Sequence, residues 1–185
     1  FPQWYIMKLA REKGVKVLLT GQGGDETLAG YHKYYFYLFA DLILSLKWIR
    51  AFREMKLHRD LDHHDEGIFK PTFRIIASYL VPRPLKEAFR RGVNKSSPNY
   101  LNRDFVRENS TKTCIEKKFD SILNNDLYNA LKISPLPSLL HIDDRSSMAH
   151  SVESRSPFLD YRLIEYLFSL GPDYKIRDGA TKFIL

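Results

Sequence analysis

The chain has 185 residues, 44% hydrophobic and 14% aromatic, with 29 Lys and Arg against 22 Asp and Glu for a formal charge of +7. That length and apolar content suit one domain with a full core and exclude a disordered chain. A single cysteine, Cys114, excludes an internal disulfide and zinc-type spacing, so a reducing compartment is the simpler setting and Cys114 reads as a small packing residue.

No charged-then-apolar signal segment opens the chain, and the most apolar run, residues 34–46, is too short to span a bilayer and contains Asp41. It predicts a buried helix. The positive charge is uneven: residues 83–118 hold ten Lys or Arg and four Asp or Glu. Without a recognisable module or aromatics among the cations, pairs such as Arg90-Arg91 and Lys117-Lys118 read as solvated faces, and a nucleic-acid partner is not expected.

In chain order, Pro2 sits near a helix start, and Ile6, Leu9 and Ala10 are spaced to make an apolar face ending at Gly14. Residues 17–20, Val-Leu-Leu-Thr, predict a short strand covered on both faces that runs into Gly21-Gln22-Gly23-Gly24-Asp25-Glu26. The carboxyl edge of such a strand is where open α/β sheets bind ligands. Three glycines let backbone N–H groups approach an anion, while Asp25 and Glu26 put two carboxylates at the same edge. Neither a dinucleotide fingerprint nor a Gly-Lys-Ser/Thr loop is present. Carboxylates repel phosphate unless a cation lies between, so the chemical reading is a Mg²⁺–phosphate site; the plain alternative is a surface turn whose Asp25 caps the next helix.

Residues 31–49 predict one or two helices whose Tyr and Phe cluster is core. Residues 56–65 read as an exposed loop bearing His58, His63 and His64 beside Asp60, Asp62 and Asp65, without metalloenzyme spacing. Pro71, Pro82, Pro84 and Pro98 punctuate short helices, and residues 92–99 predict a loop. Ser134-Pro135 starts a helix with Leu136, Leu139 and Leu140 on one face, and the i, i+4 row carries Asp144 between Leu140 and Met148, an acid on an apolar side for which Arg145 is one candidate partner. Before Pro157 the chain becomes extended, with Glu153 and Arg155 on the same side. Asp160 caps a helix with Leu163, Ile164, Leu167 and Phe168 inward, closed by Gly171-Pro172. Residues 175–182 predict a turn feeding a new helix.

Residues 20–26, Thr-Gly-Gln-Gly-Gly-Asp-Glu, with Ala29-Gly30-Tyr31, resemble the Ser-Gly-Glu-Gly-x-Asp-Glu…Gly-Gly-Tyr signature of glutamine-hydrolysing asparagine synthetases. Asp144-Arg145 through Ser-Met-Ala-His-Ser-Val-Glu153, Arg155 and Pro157-Phe158-Leu159-Asp160 resembles the family's downstream signature, and Lys175-Ile176-Arg177 with Lys182-Phe183 its closing lysine motif. The three occur in the family's order. The resemblance implies an α/β fold, a partial ATP-pyrophosphatase-type (adenine nucleotide α-hydrolase-like) domain, mostly helical with a remnant of the parallel sheet. Residues 1–185 then read as one domain, part of a synthetase domain cut at both ends.

The implied activity is carboxylate activation by Mg-ATP: aspartate attacks the α-phosphate to give an acyl-adenylate, and ammonia released from glutamine in a separate glutaminase domain displaces AMP. ATP and Mg²⁺ are the implied cofactors, with a cytoplasmic location, no membrane partner, and compatibility with a homodimer. By the resemblance, Asp25 matches the acid that helps hold Mg²⁺; Gly21, Gln22, Gly23 and Gly24 form the ATP and pyrophosphate turn; Lys182 contacts the phosphates as charge develops; Glu153 is a proton acceptor; Asp144 and Arg145 shape the acceptor pocket. The Ser-Gly-Gly-x-Asp-Ser pyrophosphate loop and an N-terminal nucleophile cysteine do not occur in the chain. Gln22 stands where the pattern commonly has Glu, which leaves open an amidotransferase for another carboxylate. A binding protein that keeps the fold without adenylation is the rival from another class.

Overall fold

In the computed structural model, which describes residues 2–61, 69–81 and 117–185, strand β1 (Val17–Leu19) lies parallel to β2 (Glu153–Arg155). The register pairs Val17 with Glu153, Leu18 with Ser154 and Leu19 with Arg155. Cys114, Arg90-Arg91, Pro82, Pro84, Pro98, the loop expected over residues 92–99, and Asp62, His63, His64 and Asp65 lie outside the described residues.

Helix α1 (Pro2–Glu12) begins on its proline. Its buried row is Met7 and Ala10, whereas Ile6 and Leu9 are exposed, so the expected apolar face is rotated by about one position. Met7 and Ala10 pack with Val152 and half-buried Leu18 into a small core between α1 and the strands. The expectation of a strand covered on both faces is corrected: Val17 and Leu19 are exposed, Leu19 at 73%. Side chains alternate along a strand, and among the described residues the α1 core lies only on the Leu18 side.

Helix α2 (Gly24–Leu28) follows the glycine turn, and α3 (Lys33–Leu44) forms the centre of the main core. Tyr34, Tyr35, Phe36, Leu38, Phe39, Ala40 and Leu42 are all buried, as an apolar helix demands when neighbours surround it. Those neighbours are α4 (Trp48–Leu61), α5 (Phe69–Leu80) and α6 (Ile122–Lys132). The aromatic cluster is therefore core, as expected. The loop reading of residues 56–65 is corrected for its first part: α4 continues to Leu61, and His58 is 4% exposed with its ring 4.0 Å from that of Tyr35.

Asp41 explains how an acid survives in the apolar run. Its carboxylate accepts hydrogen bonds from the Ile122 N–H (2.6 Å), the Leu123 N–H (3.0 Å) and the Ser121 hydroxyl (2.6 Å), capping the start of α6 from another helix. Ser121 Oγ accepts in turn from the Asn124 N–H at 3.0 Å. Burial pushes the Asp41 carboxyl up, while Ser121, Leu123 and Ile122 pull it down.

Helix α7 (Leu136–Met148) starts just after Pro135. Its buried residues are Leu136, Asp143 and Ser147, and Asp144, expected on the apolar side, is exposed together with Met148. The row i, i+7, i+11 from Leu136 is the inward one, and the acid it carries is Asp143. Asp143 accepts from Gln3 of α1 and from Ser154 of β2, tying helix, helix and strand together.

Helix α8 (Tyr161–Ser169) is capped as expected: Asp160 accepts from the Arg162 N–H at 2.9 Å, and the Arg162 side chain and N–H hold its carboxyl down at about 2. The C-terminal segment differs from expectation. Ile176–Arg177 (β3) and Ala180–Thr181 (β4) form an antiparallel hairpin, and residues 182–185 make a turn closed by Leu185 N–H to Lys182 C=O (2.9 Å), not a helix. Among the described residues no helix is long and apolar enough to cross a membrane.

Candidate functional site

Because β1 and β2 are parallel, the segments that leave them, residues 20–26 and 156–160, emerge at the same edge. Thr20 fastens the two: its N–H donates to Arg155 C=O at 2.8 Å and its hydroxyl lies 2.9 Å from Ser156 Oγ. At Gly23, φ is +90° and an added Cβ would stand 2.2 Å from Leu159 Cδ2; at Gly24 it would meet Phe158 at 3.5 Å. The space these two glycines leave is thus taken up by the downstream Pro-Phe-Leu segment. Gly21 differs, with no heavy atom within 4 Å of an added Cβ, and Gln22 beside it is half-buried.

Asp25 lies in the first turn of α2 and Lys182 directly after β4, and Lys182 Nζ is 2.8 Å from Asp25 Oδ1. Both side chains are about one-third exposed. Gly30 lies against the pair: a Cβ there would be 1.7 Å from Asp25 Oδ1 and 2.5 Å from Lys182 Cε. The expected pairing of Asp25 with Glu26 at this edge is corrected. Glu26 is 1% exposed and accepts from the Tyr31 hydroxyl at 3.0 Å, because successive helical residues point about 100° apart. Burial, then the Glu26 bond, push the Tyr31 hydroxyl up to about 12. Nor does Asp25 cap α2; Gly23 occupies the N-cap position without a side-chain bond.

Glu153 sits level with Val17, at the entry end of β2, and its Oε1 accepts from Arg155 Nε at 2.8 Å. Glu153 and Arg155 do share one side of the strand. The structure therefore brings Asp25 and Lys182 together at the carboxyl edge and sets Glu153 further down the sheet. Asp144 and Arg145 are exposed on the last turns of α7.

Two charged residues were given no role from sequence. Asp143 was masked by its acidic neighbour, and only the full i, i+7, i+11 row would have chosen between them. Lys175 is fully buried, donates to Asn124 Oδ1 at 2.6 Å and lies 4.6 Å over the Phe168 ring; burial lowers its ammonium to about 8. An open cleft of about 890 Å³, with Lys47, Trp48, Arg50, Arg53 and Arg177 in its lining, includes none of Gly21, Asp25 or Lys182.

Asp25 offers one carboxylate oxygen set to a divalent ion, which suits Mg²⁺, an ion commonly held by one or two carboxylates together with substrate phosphates. Among the described residues no three His, Cys, Asp or Glu side chains are grouped as a complete metal site.

Fold and site together define a mostly helical α/β domain with a small parallel sheet and a cation–carboxylate pair at its carboxyl edge. The chain belongs to the asparagine synthase family, whose profile matches residues 1–185. It is 22% identical to asparagine synthetase [glutamine-hydrolyzing] 1 of Bacillus subtilis (strain 168), over all of this chain and 29% of that protein. It is 26% identical to asparagine synthetase [glutamine-hydrolyzing] 3 of the same organism, over 98% of this chain and 24% of that protein. A shorter match to the Rattus norvegicus asparagine synthetase [glutamine-hydrolyzing] is 46% identical over 43 residues, 23% of this chain and 8% of that protein. The chain thus spans 24% to 29% of the length of the two bacterial relatives. No solved structure matches at a significant level.

Proposed function

We propose that this chain is the carboxyl-activating part of an ATP-dependent amide-forming ligase that converts aspartate to asparagine through an acyl-adenylate, using ammonia from glutamine. The observation that carries the reading is the Asp25–Lys182 pair beside Gly30, in a chain that belongs to the family along its whole length. The ATP-pyrophosphatase-type fold is part of the same proposal.

The roles follow from charge. With nucleotide bound, Lys182 leaves Asp25 for phosphate oxygens, where an ammonium stabilises the negative charge that grows as pyrophosphate departs. Asp25 would hold Mg²⁺, whose chemistry is to neutralise the phosphates. Gly21, Gln22, Gly23 and Gly24 form the turn beside the phosphates, with Gly21 the open position and Gln22 able to hydrogen-bond substrate through its amide. Glu153 takes a proton from the incoming nitrogen nucleophile, through the carboxylate oxygen that Arg155 does not engage. Asp144 and Arg145, on the exposed flank of α7, contribute to the acceptor pocket.

The test is aspartate-dependent pyrophosphate release by the full-length protein with Mg-ATP and glutamine, with asparagine as co-product. Absence of both in a protein that binds ATP would sink the ligase reading and favour a non-catalytic binding protein. Gln22 supports a second reading, amidation of another carboxylate; pyrophosphate release that depends on a different acid, with aspartate inert, would select it.

A further inference from the structure

The Asp178-Gly179 turn between β3 and β4 is a two-residue loop with φ of +51° and +75°, the geometry of a type I′ hairpin that Asp-Gly favours. Its backbone is gripped from two helices distant in sequence. Glu54 of α4, 3% exposed, accepts from the Asp178 N–H through Oε1 (3.2 Å) and from the Gly179 N–H through Oε2 (3.1 Å). Tyr35 of α3 donates its buried hydroxyl to the Gly179 carbonyl at 2.7 Å. Three hydrogen bonds thus hold the peptide groups of a two-residue turn. Arg50 lies 4.0 Å from Glu54, and Arg53 pairs with the Asp178 side chain at 3.0 Å, so the grip is braced by cations from the same helix face.

The turn is one short strand away from Lys182. Thr181 ends β4, Lys182 follows with φ of +52°, and the next N–H, of Phe183, donates to Lys175 C=O at 3.0 Å. With β4 only two residues long, a displacement of the turn passes directly to the Lys182 backbone. A buried carboxylate receiving two backbone N–H groups is a costly arrangement to leave half-made, which makes the turn's position discrete and not sliding.

We propose that Glu54 is a positioning residue for Lys182: with Tyr35 it locks the Asp178-Gly179 turn and so sets the Lys182 ammonium against Asp25. The importance of Lys182 rests on the ligase reading above, but its placement does not, and the experiment separates the two.

In the full-length protein, the rate of reductive methylation of Lys182 is measured by mass spectrometry, with Lys8 and Lys33 as internal references. Asp25→Asn supplies the scale: release of the ammonium from its carboxylate raises Lys182 labelling by about two- to fivefold, the range a partly exposed ion pair supports. Glu54→Ala is expected to raise Lys182 labelling to the same extent, with Lys8 and Lys33 unchanged. Glu54→Gln, which keeps one carbonyl acceptor, is expected to fall between. Tyr35→Phe removes a single oxygen and serves where Glu54→Ala does not fold; it too is expected to raise Lys182 labelling. Wild-type labelling of Lys182 in Glu54→Gln and Tyr35→Phe, while Asp25→Asn raises it, would overturn the proposal. The labelling needs no turnover, so a protein without pyrophosphate release refutes the ligase reading and leaves this result standing.

Discussion

Lys182 Nζ stands 2.8 Å from Asp25 Oδ1, joining the first and last signature segments of the chain at the carboxyl edge of β1. The pair is partly exposed, so it contributes little to stability by itself. In the ligase reading proposed above, Lys182 would turn to phosphate and Asp25 to Mg²⁺, so the pair would open when a metal–phosphate ligand binds. Lys182→Ala in the full-length protein is therefore expected to lower aspartate-dependent pyrophosphate release by at least about tenfold, with glutaminase activity unchanged. An unchanged synthetase rate would remove Lys182 from the site.

Gly30 is a matter of space. A methyl group there would overlap Asp25 Oδ1 and crowd Lys182 Cε, so both side chains must move from the positions in which they pair. Gly30→Ala is expected to abolish more synthetase activity than Asp25→Asn, since it displaces both side chains at once. Full activity in Gly30→Ala would show that the pair's geometry is irrelevant to turnover.

Asp41 is expected to matter for stability and not for chemistry. Its loss leaves two N–H groups at the start of α6 and the Ser121 hydroxyl without their acceptor. Asp41→Ala should lower unfolding free energy by about 1–3 kcal/mol, read as a lower urea midpoint, with Asp41→Asn less severe because one oxygen remains. Equal midpoints for wild type and Asp41→Ala would show that solvent replaces the cap.

Lys175 gives a pH dependence with a definite sign. Its ammonium titrates near 8 in the folded chain against 10.5 ordinarily, because burial disfavours the charge. Below pH 8 both states are protonated and the cost of burying the charge is fully present. Between about 8 and 10.5 the unfolded state binds the extra proton, so this residue's contribution to stability rises with pH. Replacing Lys175 by Met is expected to flatten the slope of the unfolding midpoint over that window. Parallel wild-type and variant slopes would contradict the assignment.

Local signals were legible wherever one residue's chemistry acts on its own neighbours. The glycine turn after a short strand, the Asp160 cap, the helix start at Pro135 and the aromatic core helix all follow from sequence, since caps and turns are short-range. Helix faces were harder. On α7 the choice between Asp143 and Asp144 depends on which row meets α1 and β2, and on α1 the choice between Ile6–Leu9 and Met7 depends on where Leu18 and Val152 lie. A one-residue rotation of either helix changes the inward residues while leaving the apolar count almost the same.

By itself the sequence determined the family, the order of its three signature segments, and the presence of a parallel-strand edge carrying Asp25. Tertiary structure decided the rest: that Glu26 turns inward to Tyr31 while Asp25 turns to Lys182, that Leu159 and Phe158 occupy the space at Gly23 and Gly24, and that Glu54 and Tyr35 hold the turn before Lys182. These are contacts between residues far apart in the chain. Periodicity and capping report only on the few residues within a turn of helix or strand, whereas a long-range contact is selected by how whole elements pack.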